Sequence, residues 1–393
     1  DFVLGNAERV DICASRHFAS GLSARHFWKT TVMIENVTLK LFERTSIYRT
    51  NSHETELGQS ISMFDPHRNT IILILSVIGI SFPQNVSPQT ARVITSTLLF
   101  HLESGPVFMR ALSAELIGKG FVLWRPHVPN LASLILTLLS MMNIARRVAF
   151  NNMSGSNGPI VEDVHVAAAS RRAMLEIGAS QPVLLISTVG REILRSDRTD
   201  LYYETCIMAL VCVVKKRPLA LSRHLSAVVE VVVKSLDPSK PLTRKGCLHA
   251  STTALHELVK RFSTVAFHQK TQRLAVGTPD KVIIIYDLRT ATKWRLFEGH
   301  TGSISALSFD ADGSILASYS MDEPCLKIWQ VGSSGFLGGI LGLNSKCLKT
   351  VSLQPLEEQV KLRDVASPCR LHWDATGEFK LRRENGYVQH FQL

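Results

Sequence analysis

From about residue 70 to residue 262 the apolar positions recur every three to four residues, and nothing alternates with the two-residue period of strands. The pattern predicts helices over 70–80, 89–103, 106–119, 129–149, 161–178, 181–195, 200–215, 218–236 and 242–262. Pro88, Pro106, Pro129, Pro182, Pro218 and Pro241 fall near the starts of these segments, where a missing amide hydrogen costs nothing. Gly105, Gly120 and the pair Asp237-Pro238 supply stops. Leu201, Cys206, Met208, Ala209, Val211, Cys212 and Val213 leave the 200–215 helix almost no polar face, and Leu225, Val228, Val229, Val231, Val232 and Val233 do the same for the next. Such helices must be covered on several sides. Consecutive helices of this length with short loops suit a HEAT/armadillo-like α-solenoid, in which each pair covers its neighbours. Asn151 to Pro159 reads as a polar loop, and residues 1–66 show no sustained period apart from Thr30 to Phe42.

After Lys260-Arg261-Phe262 the period changes from 3.6 to 2, and short strands follow at Val265 to Phe267, Leu274 to Val276, Val282 to Tyr286 and Trp294 to Leu296. A second unit runs from Gly299-His300 through the strand Ser303 to Phe309, the turn Asp310-Ala311-Asp312-Gly313 and the strand Ser314 to Ser318 to Leu326-Lys327-Ile328-Trp329. This resembles a WD repeat, with Trp-Gln where that family usually has Trp-Asp. The resemblance implies a buried hydrogen-bonded chain of a His, a Ser or Thr, a turn Asp and a Trp, which keeps polar groups satisfied inside a dry sheet. By residue type and offset the matching set is His300, Ser320, Asp322 and Trp329, with the turn Asp322-Glu323-Pro324-Cys325 one residue longer than usual. Aligning Phe267 with Phe309 places Thr278 on Ser320 and Asp280 on Asp322, both at an offset of 42. Tyr286-Asp287 then takes the Trp-Asp place, and Leu258 the place of the His. A third, degenerate copy covers Arg370 to Asp374, Gly377 to Arg382 and Gly386 to Phe391.

The expected architecture is therefore α+β and multidomain. An irregular segment over 1–66 precedes a helical repeat array over 67–262, and partial β-propeller blades, two clear and one degenerate, occupy 263–393. Three blades cannot close a propeller, whose usual range is about four to eight, so further blades are expected upstream of Asp1. Gly332 to Leu343 is an apolar, glycine-rich insertion between the second and third copies. It reads as a loose connection or as a partner-binding loop, whose contact candidates are Phe336, Leu337, Ile340, Leu341 and Leu343.

The runs Val265 to Thr278, Ile283 to Trp294 and Glu298 to Ser303 resemble the family of rabconnectin-3 beta subunits. That resemblance implies a cytoplasmic scaffold, peripherally associated with synaptic or endosomal vesicles through its partners. It also implies a link to the alpha subunit of rabconnectin-3 and a role in assembling the vacuolar proton ATPase.

Charge opens a second function class. The net charge is +11, and residues 1–262 hold most of it, with 29 Lys+Arg against 20 Asp+Glu. An adaptor binding anionic lipid or RNA through the helical array is the alternative. The basic residues cluster no further than pairs and one triple (Arg146-Arg147, Arg171-Arg172, Lys215-Lys216-Arg217), with no long run and no interleaved aromatics, so solvated helix ends are the preferred reading and no nucleic acid is expected. One continuous basic stripe would favour the adaptor; scattered helix ends favour the scaffold.

Seven cysteines without a paired framework fit a reducing compartment. Asp1 is followed by no basic-then-apolar leader, and the longest apolar stretch, Ile71 to Ile80, is about half a bilayer span. No phosphate loop and no nucleophile elbow appears. Cys206 and Cys212 are six apart on a predicted helix and do not share a face, and Glu162-Asp163 and Glu357-Glu358 diverge as neighbours in sequence. No cofactor, metal or enzymatic activity is expected.

Overall fold

A computed structural model describes residues 66–152, 161–195, 197–332, 347–354, 369–373, 378–383 and 386–392. The contact candidates Phe336, Leu337, Ile340, Leu341 and Leu343, and the segment 1–65, lie outside the described residues. The chain forms two compact units, Asp1–Glu176 and Ile177–Leu393. The period change at 262 is where helix gives way to strand, but the boundary between units lies earlier, because the last helices pack with the sheets.

In the first unit the helices are α1 (Pro66–Ser81), α2 (Pro88–Ser104), α3 (Val107–Lys119), the single turn α4 (Phe121–Trp124), α5 (Leu131–Asn152) and most of α6 (Val161–Ser180). The Ser87 hydroxyl caps α2 by accepting from the Thr90 amide at 3.2 Å, directly before Pro88 at the first helical position. Gly118 marks a close helix approach, since a Cβ there would sit 2.6 Å from the Ala173 Cα. Trp124 is fully buried and donates its indole N–H to the Leu116 carbonyl at 3.1 Å.

The second unit opens with α7 (Pro182–Leu194), α8 (Asp200–Lys216), α9 (Pro218–Leu221), α10 (Leu225–Lys234) and α11 (Pro241–Arg261). The predicted helix over 218–236 is broken by a 3-10 turn at Ser222–His224. Buried residues ring α8, as its nearly all-apolar sequence requires, and α11 is its main neighbour.

Three antiparallel sheets follow. Sheet 1 has the order β1 (Val265–His268), β2 (Arg273–Gly277), β3 (Ile283–Asp287), β4 (Thr292–Phe297). Sheet 2 has the order β5 (Ile304–Phe309), β6 (Ile315–Ser320), β7 (Cys325–Gln330), β8 (Cys347–Ser352). Sheet 3 places β10 (Phe379–Arg382) between β9 (Arg370–Trp373) and β11 (Val388–Phe391). The first strands β1, β5 and β9 lie side by side, so the sheets fan out as blades do around an axis.

Two apolar layers join them. Ala266, Ala275, Ile285 and Phe297 meet Leu307, Leu316 and Trp329 between sheets 1 and 2, and Ala317, Tyr319 and Ile328 meet Phe379 and Leu381 between sheets 2 and 3. On the opposite face of sheet 1, Leu274 and Val276 are also fully buried, because α10 packs on β2 and α11 on β1. Lys293 of β4 pairs with Glu230 of α10 at 3.0 Å across the same junction. Helices thus occupy the face on which a preceding blade would stack.

Candidate functional site

Gly299-His300 precedes β5, Ser318 lies on β6, Glu323 in the β6–β7 turn and Trp329 on β7. Gly299 adopts φ +142°, and a Cβ there would lie 3.2 Å from the Trp329 ring, a conformation and a clearance that favour glycine. Trp329 is buried between Phe297, with ring centroids 5.3 Å apart, and His300 at 6.0 Å.

The donors and acceptors order themselves. Trp329 Nε1 can only donate, and does so to Ser318 Oγ at 2.7 Å. The Ser318 hydroxyl then gives its proton to His300 Nε2 at 2.6 Å. His300 Nδ1–H donates to the Glu323 carboxylate, which also accepts from the Thr301 amide at 2.9 Å and from the Thr301 hydroxyl. A neutral imidazole protonated on Nδ1 satisfies every member of the chain. Burial lowers the His300 pKa more than Glu323 raises it. Burial alone would raise the Glu323 carboxyl, but hydrogen bonds from Thr301 and His300 outweigh it and hold it below its ordinary value. Both shifts describe one state, a neutral histidine against an ionised carboxylate.

This corrects two members of the expected set. Ser320 is buried, but its hydroxyl has no hydrogen-bond partner, and Ser318, two residues earlier on the same face, takes its place. Asp322 caps the entry to β5 instead, accepting from the Ser303 amide at 3.0 Å and hydroxyl at 2.7 Å. For Asp322 the longer turn is the reason. Its extra residue puts Glu323 beside the histidine, with one more methylene for reach. The turn length was visible in the sequence; the shift of partner from Ser320 to Ser318 was not.

Sheet 1 does not repeat the chain. Thr278 closes the β2–β3 turn, donating to the Val282 carbonyl at 2.9 Å and accepting from its amide at 3.2 Å. Asp280 is exposed. Tyr286 is buried with its hydroxyl unpartnered, and burial raises its pKa. Asp287 instead holds Arg289 through both carboxylate oxygens, at 3.1 and 2.8 Å.

Among the described residues no three His, Cys, Asp or Glu side chains lie close enough to hold a metal. Cys206 and Cys247 are buried, and burial raises both thiols, Cys247 to about 12, which suppresses the thiolate. No single described helix is long and apolar enough to cross a membrane.

Residues 292–330 match the family model described as WD domain, G-beta repeat. The chain contains a WD repeat. The matched span runs from the first residue of β4 to the last of β7, so the repeat begins on the outer strand of one sheet and continues through three strands of the next, tying the two together. The chain is 33% identical over 70 residues to pre-mRNA-processing factor 19 of Oryza sativa subsp. japonica, covering 18% of this chain and 13% of that protein. It is 31% identical over 70 residues to pre-mRNA-processing factor 19 homolog 2 of Arabidopsis thaliana, with the same coverage of 18% and 13%. Among solved structures, Kluyveromyces lactis Hsv2p matches with 18% identity and a TM-score of 0.25, over 32% of this chain and 39% of that one. The chain thus spans a small part of each relative. Its helical region followed by antiparallel sheets carrying a WD repeat fits the α+β layout expected from the sequence.

Proposed function

We propose that this chain is a non-catalytic scaffold acting through protein contacts made by the surfaces of its WD sheets and helices. One observation carries this reading: the polar groups of the motif, His300, Ser318, Glu323 and Trp329, are spent on one another inside the sheet. None is left facing a substrate, so the repeat holds a shape rather than performing chemistry.

The finer reading is that the scaffold serves the vacuolar proton ATPase, as a relative of the rabconnectin-3 beta subunits joined to the alpha subunit at vesicle surfaces. Its support is the set of runs over 265–278, 283–294 and 298–303, which fall on β1 to β4 and the entry to β5. The lipid or RNA adaptor has less behind it, because several of the basic helical groups are matched locally. Lys215 and Arg261 both pair with Glu257, at 3.5 and 3.0 Å, and Arg172 pairs with Glu115 at 3.4 Å.

The test is retention of the purified cytosolic sector of the proton pump on immobilised chain. Retention that survives high salt and is lost when the sheets are loosened by Ser318→Ala supports the reading. No retention at any salt removes the pump from it, and retention of RNA or anionic vesicles that collapses with salt favours the adaptor.

A further inference from the structure

One end of sheet 1 gathers its charges on a single indole. Arg273 of β2 lies opposite Asp287 of β3, and Asp287 opposite Thr292 of β4; one pleat along, the same face carries Ala275, Ile285 and Arg295. Between these rows the register slips, with Tyr286 facing Lys293 and Ile285 facing Arg295, so Trp294 is the extra residue of a bulge. The bulge turns its ring back across β3 toward β2. The Arg273 guanidinium carbon lies 3.6 Å from the centre of that ring and the Arg295 carbon 4.4 Å, while the ring also packs against the apolar layer between sheets 1 and 2. All three side chains are half-buried.

These cations lack anions. The Arg273 Nε–H is buried without a hydrogen-bond partner, and among the described residues neither Arg273 nor Arg295 has an ion pair. Asp287 beside them is taken up by Arg289, which reaches both of its oxygens at 3.1 and 2.8 Å. The carboxylates on neighbouring elements are committed elsewhere: Glu230 of α10 holds Lys293 at 3.0 Å and Lys234 at 2.9 Å, and Asp312 lies 4.0 Å from Lys270. Three guanidinium groups against one carboxylate leave a surplus of two positive charges. Burial, with Arg289 and Arg295 close by, holds the Arg273 pKa below its ordinary value in spite of Asp287. The indole face offsets part of this charge, but like charges so close stay unfavourable until an anion joins them.

We infer that Arg273 and Arg295, held on Trp294, bind a phosphate monoester carried by a phosphorylated serine or threonine of a partner protein. Such a group carries about −1.5 to −2 charges near neutral pH, which matches the surplus. Its terminal oxygens can accept from more than one guanidinium fork at once, whereas a single carboxylate would leave one charge over. The flanking cations Lys270 and Lys293 are already paired, so the cluster calls for one compact dianion rather than the row of phosphates that RNA or a membrane presents. This rests on the scaffold reading and adds to it the place of one contact and the chemical mark its partner carries.

The experiment uses the whole chain and a fluorescent pool of short peptides with one central phosphoserine and randomised flanks, beside the same pool unphosphorylated. The wild type should bind the phosphorylated pool roughly tenfold more tightly than the other. Arg273→Gln/Arg295→Gln should lose that preference, while a control, Arg191→Gln/Arg223→Gln, which alters exposed arginines of the helical part, should stay within about twofold of the wild type. Inorganic phosphate should displace the peptides, and sodium chloride at equal ionic strength should not. Should hydrogen exchange over 265–297 show the double variant misfolded, Arg295→Gln alone leaves the Arg273–Trp294 stack in place and should still weaken binding about threefold. No preference for the phosphorylated pool overturns the proposal, as does equal loss in cluster and control variants. Binding of inorganic phosphate with neither pool bound overturns it in favour of a free anion, and capture of RNA or phosphatidylserine vesicles through these residues without peptide binding overturns it in favour of those partners. Retention of the pump sector is read separately, so this site can fail while the scaffold reading stands.

Discussion

Ser318→Ala is the sharpest probe of the sheet, because two other buried groups depend on one hydroxyl. Ser318 is 0% exposed, accepts from Trp329 and donates to His300. Without it the Trp329 N–H and the His300 Nε2 lone pair are buried and unpaired. Each orphan costs about 1–3 kcal/mol, so the variant should lose about 2–5 kcal/mol of sheet stability after partial relaxation. Ser320→Ala, two residues away on the same face, removes a hydroxyl that bonds nothing, and should change stability by less than about 0.5 kcal/mol or raise it slightly. Hydrogen exchange resolved by segment reads both. Amides across 304–330 should exchange roughly 30-fold to several thousand-fold faster in Ser318→Ala, at a factor of ten for about every 1.4 kcal/mol. Those of Ser320→Ala should match the wild type. Equal effects of the two substitutions, or a larger effect at Ser320, would refute the assignment of Ser318 as the shared partner.

Three further outcomes follow from the same geometry. The folded pKa of His300 lies below the 6.5 of a free histidine, so its contribution to stability is full above that value and is lost as pH falls, when the unfolded chain takes up a proton the folded one resists. Denaturation midpoints of the second unit should drop from pH 7.5 toward pH 5.5, by less in His300→Gln; a midpoint rising on acidification would contradict the neutral tautomer. Glu323→Gln keeps the side chain's shape but weakens its bonds to His300 and Thr301, and should destabilise sheet 2 by about 1–3 kcal/mol in urea titration, whereas Asp322→Asn should affect mainly the entry to β5. Gly118→Ala forces a Cβ onto Ala173 and should loosen the first unit while leaving exchange over 265–330 unchanged.

Much of this was legible before any coordinates. Helix positions followed from the 3.6-residue period and from prolines such as Pro88 and Pro182, whose place at first helical turns is a local property of the backbone. The break at Ser222–His224 was not, since the Val-rich stretch after it carries the same apolar signal as an unbroken helix. His300 and Trp329 were found because Gly-His and the terminal Trp stand at fixed spacing. Residue type and offset point to Ser320 rather than Ser318, because residues two apart on one strand face look alike to such a count. Sheet 1 shows the limit of offset matching: Thr278 and Asp280 align with sheet 2 positions, yet the absent histidine leaves them nothing to bind, and Thr278 closes a turn instead. The packing of α10 and α11 on sheet 1 had no sequence signal, because it joins segments whose patterns each look complete alone.

The role of the folded sheets is tested most directly by vesicle pH in cells lacking the protein, with the wild type or Ser318→Ala returned. The proposed pump role of the scaffold predicts that acidic vesicles rise in pH without the protein, recover with the wild type, and do not recover with Ser318→Ala at equal abundance. Vesicles that stay acidic in its absence, or equal recovery with both forms, would contradict it.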